Sequence, residues 1–174
     1  MSESTEELKT AVQGASEVLT ETENMTAQLS GHATELAEEA AGHGWHGMAT
    51  RMQEVAEELE ATTALISTGG KACETAVEEI GLINDKIPAE EVVAHLSAST
   101  NQLGEAGTAL EGAVEKAEEA QSAAAEIGQE GMMQATLDLY NQLTEIQEQI
   151  GQYRSTSEQE QAAADDYAKR QLGN

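Results

Sequence analysis

From Met48 to Ile87 the chain sets a small or apolar residue at alternating steps of four and three: Met48, Met52, Val55, Leu59, Thr62, Ile66, Gly69, Cys73, Ala76, Ile80, Ile83 and Ile87. A half-buried strand would alternate at every second residue. This spacing instead keeps one narrow stripe on one side of an α-helix. It is a heptad seam, and a seam needs a second helix alongside to bury it. The same stepping returns in Val92, Leu96, Ser99, Leu103, Ala106, Leu110, Ala113, Ala117, Ala120, Ala124 and Ile127. The second half of that series is almost all alanine, so its partner helix must approach closely. Proline, the strongest helix breaker, occurs once, at Pro88. The chain is therefore expected to be all-α and to run in very long helices.

The breaks between helices are chemically marked. Ser4 followed by Glu7 has capping-box spacing, and Leu8, Val12, Ala15, Val18, Leu19, Met25, Leu29, Ala33, Leu36 and Ala40 give a first seam. That seam stops at Gly42-His43-Gly44-Trp45-His46-Gly47, where three glycines in six residues predict a turn. Gly69-Gly70 costs about 1–2 kcal/mol of helix propensity without changing the register. It predicts a kink or the close approach of a neighbouring backbone, inside helix that is continuous or briefly broken. Asn84-Asp85-Lys86-Ile87-Pro88 is the main boundary, with Pro88 suited to the first position of a new helix and Glu90 and Glu91 to its first turn. After the turn Gly128-Gln129-Glu130-Gly131, a fourth helix is expected from about Met132, with Leu139, Leu143, Ile146, Ile150 and Tyr153 on its seam. Ser157, Glu160, Ala164 and Tyr167 then continue the register with a weakening apolar signal, fraying near Leu172-Gly173-Asn174. Residues 1–87 and 88–174 thus share one plan. The expected architecture is two tandem long antiparallel helical hairpins forming an elongated four-helix bundle or a coiled-coil rod. A 38-residue helix would span roughly 57 Å.

Composition narrows the core and the partners. Among 174 residues there is no Phe, one Trp and three Tyr, which favours a thin interhelical seam over a thick core. Acidic residues number 33 against 8 Lys and Arg, a net charge of −25. That sign opposes binding to nucleic-acid phosphate and to anionic lipid. It permits a basic partner, and it equally serves as a solvated face that keeps long helices soluble. No run of 18 apolar residues is present, so membrane insertion is not expected. Met1 to Lys9 is acidic and polar, unlike a secretory signal. The expectation is a cytoplasmic protein, or one exported by a signal-peptide-independent route.

Candidate chemistry is sparse. His43 and His46 stand three apart with Glu38 and Glu39 nearby, fewer ligands than zinc's usual set, and exposed turn histidines are the simpler reading. His32 falls near the first seam and His95 toward solvent. A di-iron bundle would need Glu-x-x-His, which does not occur. There is no phosphate loop of the Walker type and no EF-hand loop. Cys73 is the only cysteine and sits on the seam, which suits a buried structural thiol. Pairs such as Glu57-Glu58 and Glu118-Glu119 carry little meaning in so acidic a chain. No catalytic, cofactor-binding or metal-binding residue is assigned, and no enzyme is expected.

Trp45-His46-Gly47 is the most informative tripeptide. A Trp-x-Gly in the turn of a helical hairpin resembles the WXG100 family of small type VII secretion substrates, over residues 1–87. Trp45 and Gly47 carry that resemblance, the Trp suited to cap the open end of a two-helix seam and the Gly to a tight turn. The family's export signal, Tyr then an acid four residues on, does not occur: Tyr140, Tyr153 and Tyr167 are followed at that spacing by Thr144, Ser157 and Gln171. Residues 88–174, from Ile87-Pro88-Ala89-Glu90-Glu91-Val92 onward, resemble the alanine- and glutamate-rich helical modules of actinobacteria. These resemblances imply trafficking or partner binding.

Met48, Met52, Met132 and Met133 follow the two turns and suit either an adaptable surface or the filling of bundle ends. The interaction candidates are Trp45, Gly47, Met48, Met52, Ile146, Ile150 and Tyr153, the last three on the weakening fourth-helix face. Three functions fit. One is a non-enzymatic interaction module, an export-associated substrate, co-substrate or targeting chaperone that docks a helical partner. Another is a self-associating cytoplasmic scaffold or spacer, a homo-oligomer. The third, a coat on hydrophobic droplets, is disfavoured by so narrow an apolar stripe.

Overall fold

The computed structural model describes residues 3–173. Met1, Ser2 and Asn174 lie outside them, and with Asn174 the last residue of the expected frayed end. The described residues form four helices: α1 (Glu3–Gly42), α2 (His46–Gly81), α3 (Ala89–Ile127) and α4 (Glu130–Leu172). Each boundary has a local cause. At the end of α1, Trp45 N–H donates to the Ala40 carbonyl at 2.9 Å and Gly44 N–H to the Ala41 carbonyl at 3.0 Å. Those two bonds make a Schellman motif, with Gly44 at φ +79° in the left-handed position it requires. Gly128 closes α3 with the simpler left-handed cap at φ +75°, its N–H reaching the Ala124 carbonyl at 3.1 Å. After α2, Asn84 Oδ1 accepts from Lys86 N–H at 2.8 Å, an Asx turn that redirects the chain.

Three boundaries differ slightly from the sequence reading. Helix α1 begins at Glu3, so Ser4 lies within its first turn and does not cap it. Pro88 is the cap of α3 and not its first residue, with φ −68° and ψ 155°, and its carbonyl accepts from Glu91 and Val92 N–H. Helix α4 starts at Glu130 because the Gln129 side chain accepts from Met132 N–H, satisfying a donor that the first turn leaves open.

The helices pack in chain order, α1 on α2, α2 on α3, α3 on α4, and α4 returns to α1 over a more limited stretch. This is an up-down-up-down four-helix bundle. Its α1–α2 and α3–α4 turns share one end, and the α2–α3 loop lies at the other. The hairpins 1–87 and 88–174 contribute to one continuous core.

The α2 seam is buried from Met52 through Ile83. Only its ends depart from the pattern, Met48 being exposed and Ile87 half-buried. The helix runs unbroken through Gly69-Gly70. Gly69 lies against Leu110 and the Ala106 carbonyl of α3, and Gly70 against Leu19 of α1. In α3 the core runs from Leu96 to Ala124, with Val92 and Ile127 half-buried at its ends. All three interhelical ion pairs among the described residues join α2 to α3: Arg51–Glu126 at 3.0 Å, His95–Glu79 at 2.9 Å and Lys116–Glu58 at 3.5 Å.

The middle of α1 departs from the expected seam. Val18 and Met25 are exposed, and Thr22 and Thr26 take the buried positions. Thr22 Oγ1 donates to the Val18 carbonyl at 2.8 Å and Thr26 Oγ1 to the Thr22 carbonyl at 2.6 Å. A threonine satisfied by its own helix presents mainly its methyl to the core, so burial costs it little. Thr62, Thr100 and Thr136 do the same in α2, α3 and α4. On α4, Tyr167 is exposed and Ala168 is buried in its place. Ser157 is fully buried, its hydroxyl 2.8 Å from Thr100 Oγ1.

Candidate interaction groove between the first and fourth helices

A surface groove of about 220 Å³ lies where α1 and α4 part. Thr22, Met25, Thr26 and Leu29 form one wall, and Ala135, Asp138, Leu139 and Gln142 the other. The helices cross it once in a hydrogen bond, Gln142 Nε2 to Thr22 Oγ1 at 3.0 Å. Further along the seam Thr5 donates to Glu160 at 3.3 Å. These two polar bridges join α1 to α4, which pack over a shorter stretch than the other three helix pairs. Along the groove edge of α1, Val18, Met25, Leu29 and Leu36 fall on one line at helical spacing. Met25 is 60% exposed and Val18 39%, while Leu29 and Leu36 are half-buried against the core. This groove is more enclosed and more apolar than the recesses at the α1–α2 and α2–α3 faces, whose linings include Glu38, Glu54 and Glu57 in one case and Glu115, Glu118, Glu119 and Glu126 in the other.

The candidates named from sequence scatter over the molecule. Trp45 is 55% exposed and stacks on the His43 ring, with centroids 4.6 Å apart, so it does not plug the seam. Gly47 is an exposed residue in the first turn of α2, and the tight turn falls to Gly44. Met48 is 45% exposed beside Trp45, whereas Met52 is buried and fills the core with Met132. Ile146 and Ile150 are also buried, which removes them from any docking face in the closed bundle, and Tyr153 is half-buried against the core. Their burial follows from α4 keeping its heptad register against α3 through Ser157. The triplet Gly42-x-Gly44-x-x-Gly47 has the glycine spacing of a dinucleotide fingerprint. It follows a helix and not a strand, so the βαβ setting that gives the spacing meaning is missing.

Sequence reasoning placed Leu29 and Leu139 on seams but missed Thr22, Asp138 and Gln142 as groove residues. A signal was available in the charges. No Lys or Arg occurs between Lys9 and Arg51, or between Lys116 and Arg154. Both groove walls therefore lack any permanent cation, while Glu17, Glu21, Asp138 and Glu145 stand exposed on the two helices.

The remaining titratable features lie apart from the groove. Burial pushes the Cys73 thiol up to about 12, which keeps it protonated and unreactive. Glu58 is raised above its ordinary value by burial and by the neighbouring Glu119 carboxyl. Glu119 is lowered, first by its hydrogen bond with Glu58 and then by Lys116, whose Nζ lies 3.2 Å away. Among the described residues no group of three or more His, Cys, Asp or Glu is placed to hold a metal ion, and no helix is long and apolar enough to cross a membrane. Comparison with protein families, with curated proteins and with solved structures finds no match.

Proposed function

We propose that this chain is a non-enzymatic helical interaction module that docks a helical partner in the α1–α4 groove, as an export-associated co-substrate or targeting chaperone would. The observation that carries the reading is the partly open fourth seam, with Met25 largely exposed on a helix whose other apolar residues are mostly covered. Three helix pairs pack along most of their length, and the α1–α4 pair packs over a shorter stretch and leaves a groove. Helix-in-groove docking uses such a site, reading anchors at i, i+3, i+4 and i+7. The Trp-x-Gly hairpin supports the export association.

The scaffold reading loses its main support, because the regular heptad seam of α2 is already buried by α1 and α3 within one chain. The test is a photo-crosslinking side chain at position 25, with one at exposed Thr108 as the control, in cells that make the protein. A discrete adduct from position 25 with a second, different protein is expected. An adduct with the chain itself would favour the scaffold, and no adduct above the Thr108 control would remove the docking reading.

A further inference from the structure

We infer that the α1–α4 groove selects a cationic amphipathic helix, one with a single apolar stripe flanked by Lys or Arg. The inference rests on the docking reading above and adds the chemistry of the occupant. Two independent observations meet here. The apolar line Val18, Met25, Leu29 and Leu36 runs 18 residues along α1, about 27 Å, which matches a helix of roughly that many residues laid alongside. The rims carry acids and no Lys or Arg. Asp138 lines the groove, Glu21 and Glu145 stand one helical turn from the lining residues Met25 and Gln142, and neither helix has a Lys or Arg from residue 10 to 42 or from 130 to 153; His32, exposed beside Leu29, pairs with Glu35 at 3.9 Å.

The other faces are built differently. On the α2–α3 face Arg51 and Lys116 neutralise cross-helix carboxylates. Arg154 lies over Gly104 on the α3–α4 face, and Lys9 over Gly81 on the α1–α2 face. Around the α1–α4 groove no Lys or Arg faces Glu21, Asp138 or Glu145, so a cation there meets carboxylates on both sides of the groove. A second copy of the chain would bring another net charge of −25 and the same acidic rims, which argues against self-docking. An anionic helix would be repelled for the same reason.

The experiment titrates the full-length protein with two synthetic 18-residue helices, read by calorimetry. They share one leucine stripe, and their remaining positions are lysine in one and glutamate in the other. The protein variants are Val18→Ser/Met25→Ser, which keeps the net charge and alters only exposed side chains, and Leu137→Ser on the α3–α4 face as the control. The lysine helix is expected to bind the wild type and the Leu137→Ser protein alike. Its affinity should fall about tenfold for the groove variant, from the apolar area lost, and severalfold as salt rises from about 0.05 to 0.3 M. Loss of affinity equal in both variants, or in neither, would mean diffuse charge attraction and would overturn the inference. Binding of the glutamate helix as tight as the lysine helix would overturn the charge selection and leave the docking reading standing. Failure of both helices to bind would also overturn the inference, while the crosslink at position 25 decides the docking reading by itself.

Discussion

Gly69 and Gly70 sit mid-helix in α2, and replacing them with alanine is a sharp test of how the core is packed. An alanine in a helix interior is worth roughly 1 kcal/mol over glycine when nothing obstructs it. Gly14, exposed in α1 with nothing within 4 Å of an added Cβ, supplies that unobstructed reference. At Gly69 an added Cβ would meet Leu110 Cγ at 3.4 Å, Leu110 Cδ2 at 3.5 Å and the Ala106 carbonyl oxygen at 3.7 Å. Those are ordinary van der Waals separations, so Gly69→Ala should gain the propensity and bury a methyl group, together about 1–2 kcal/mol. At Gly70 the nearest atom is Leu19 Cβ at 3.8 Å, and the gain should be near 1 kcal/mol from propensity alone. For a domain of this size each kcal/mol moves the midpoint by about 2–4 °C. Thermal melts followed by circular dichroism should place Gly69→Ala at or above Gly14→Ala. Gly112→Ala gives the contrast, since its Cβ would approach Leu65 Cδ1 at 3.2 Å and the leucine must give way. If Gly69→Ala lowered the midpoint while Gly14→Ala raised it, α2 and α3 would lie closer than the structure places them. The glycine pair would then be a packing requirement.

The burial and hydrogen bonding of single residues lead to further outcomes. Glu58 has its folded value raised above its ordinary 4.5, so its contribution to stability is fully present below 4.5 and is lost as pH rises through the folded value. Glu58→Gln should therefore stabilise the bundle at neutral pH and flatten the gain in midpoint on acidification toward 4.5, seen in melts across that range. Trp45 is the only tryptophan, so its emission should be red-shifted and readily quenched by acrylamide in the folded protein. A blue-shifted, protected signal would return it to the seam. Cys73 should resist a thiol reagent at pH 8 until the bundle unfolds, because it is fully buried and held protonated. Ser157→Ala should cost about 1 kcal/mol, since Thr100 keeps its own bond to the Leu96 carbonyl.

The fold was legible wherever the apolar stripe was regular. In α2 and α3 every interior position of the four-three series is buried, because a Leu, Ile or Ala at heptad spacing has no better place to go. In α1 the series went astray at Val18 and Met25. A rule that prefers apolar residues passes over threonine, yet Thr22 and Thr26 can be buried at little cost once each donates to its own helix. Ser157 hides for a related reason, its partners Thr100 and Ser99 lying on a helix 57 and 58 residues away. Trp45 is suited by sequence to cap the open end of the α1–α2 seam, but the Schellman turn sets it past the last turn of α1, where it stacks on His43. The groove was harder to foresee still, because it is defined by what α1 and α4 do not contribute to one another.

That lack has a physical consequence for how the bundle works. The α2–α3 seam combines the most regular apolar series with the interhelical ion pairs. The α1–α4 seam combines buried threonines, a glutamine bridge and like-charged rims, which repel across the gap. Like charges on facing helices raise the cost of closing a seam, and here no cation on either wall offsets it. Closing that seam fully would need the apolar residues at Val18 and Met25 to turn inward, at the expense of Thr22 and Thr26, whose hydroxyls are already satisfied. The chain therefore keeps Val18 and Met25 at the edge, in water, with no Lys or Arg on either wall. A cationic helix laid there would cover the apolar line and neutralise both rims together, and no rearrangement of the four helices alone does both.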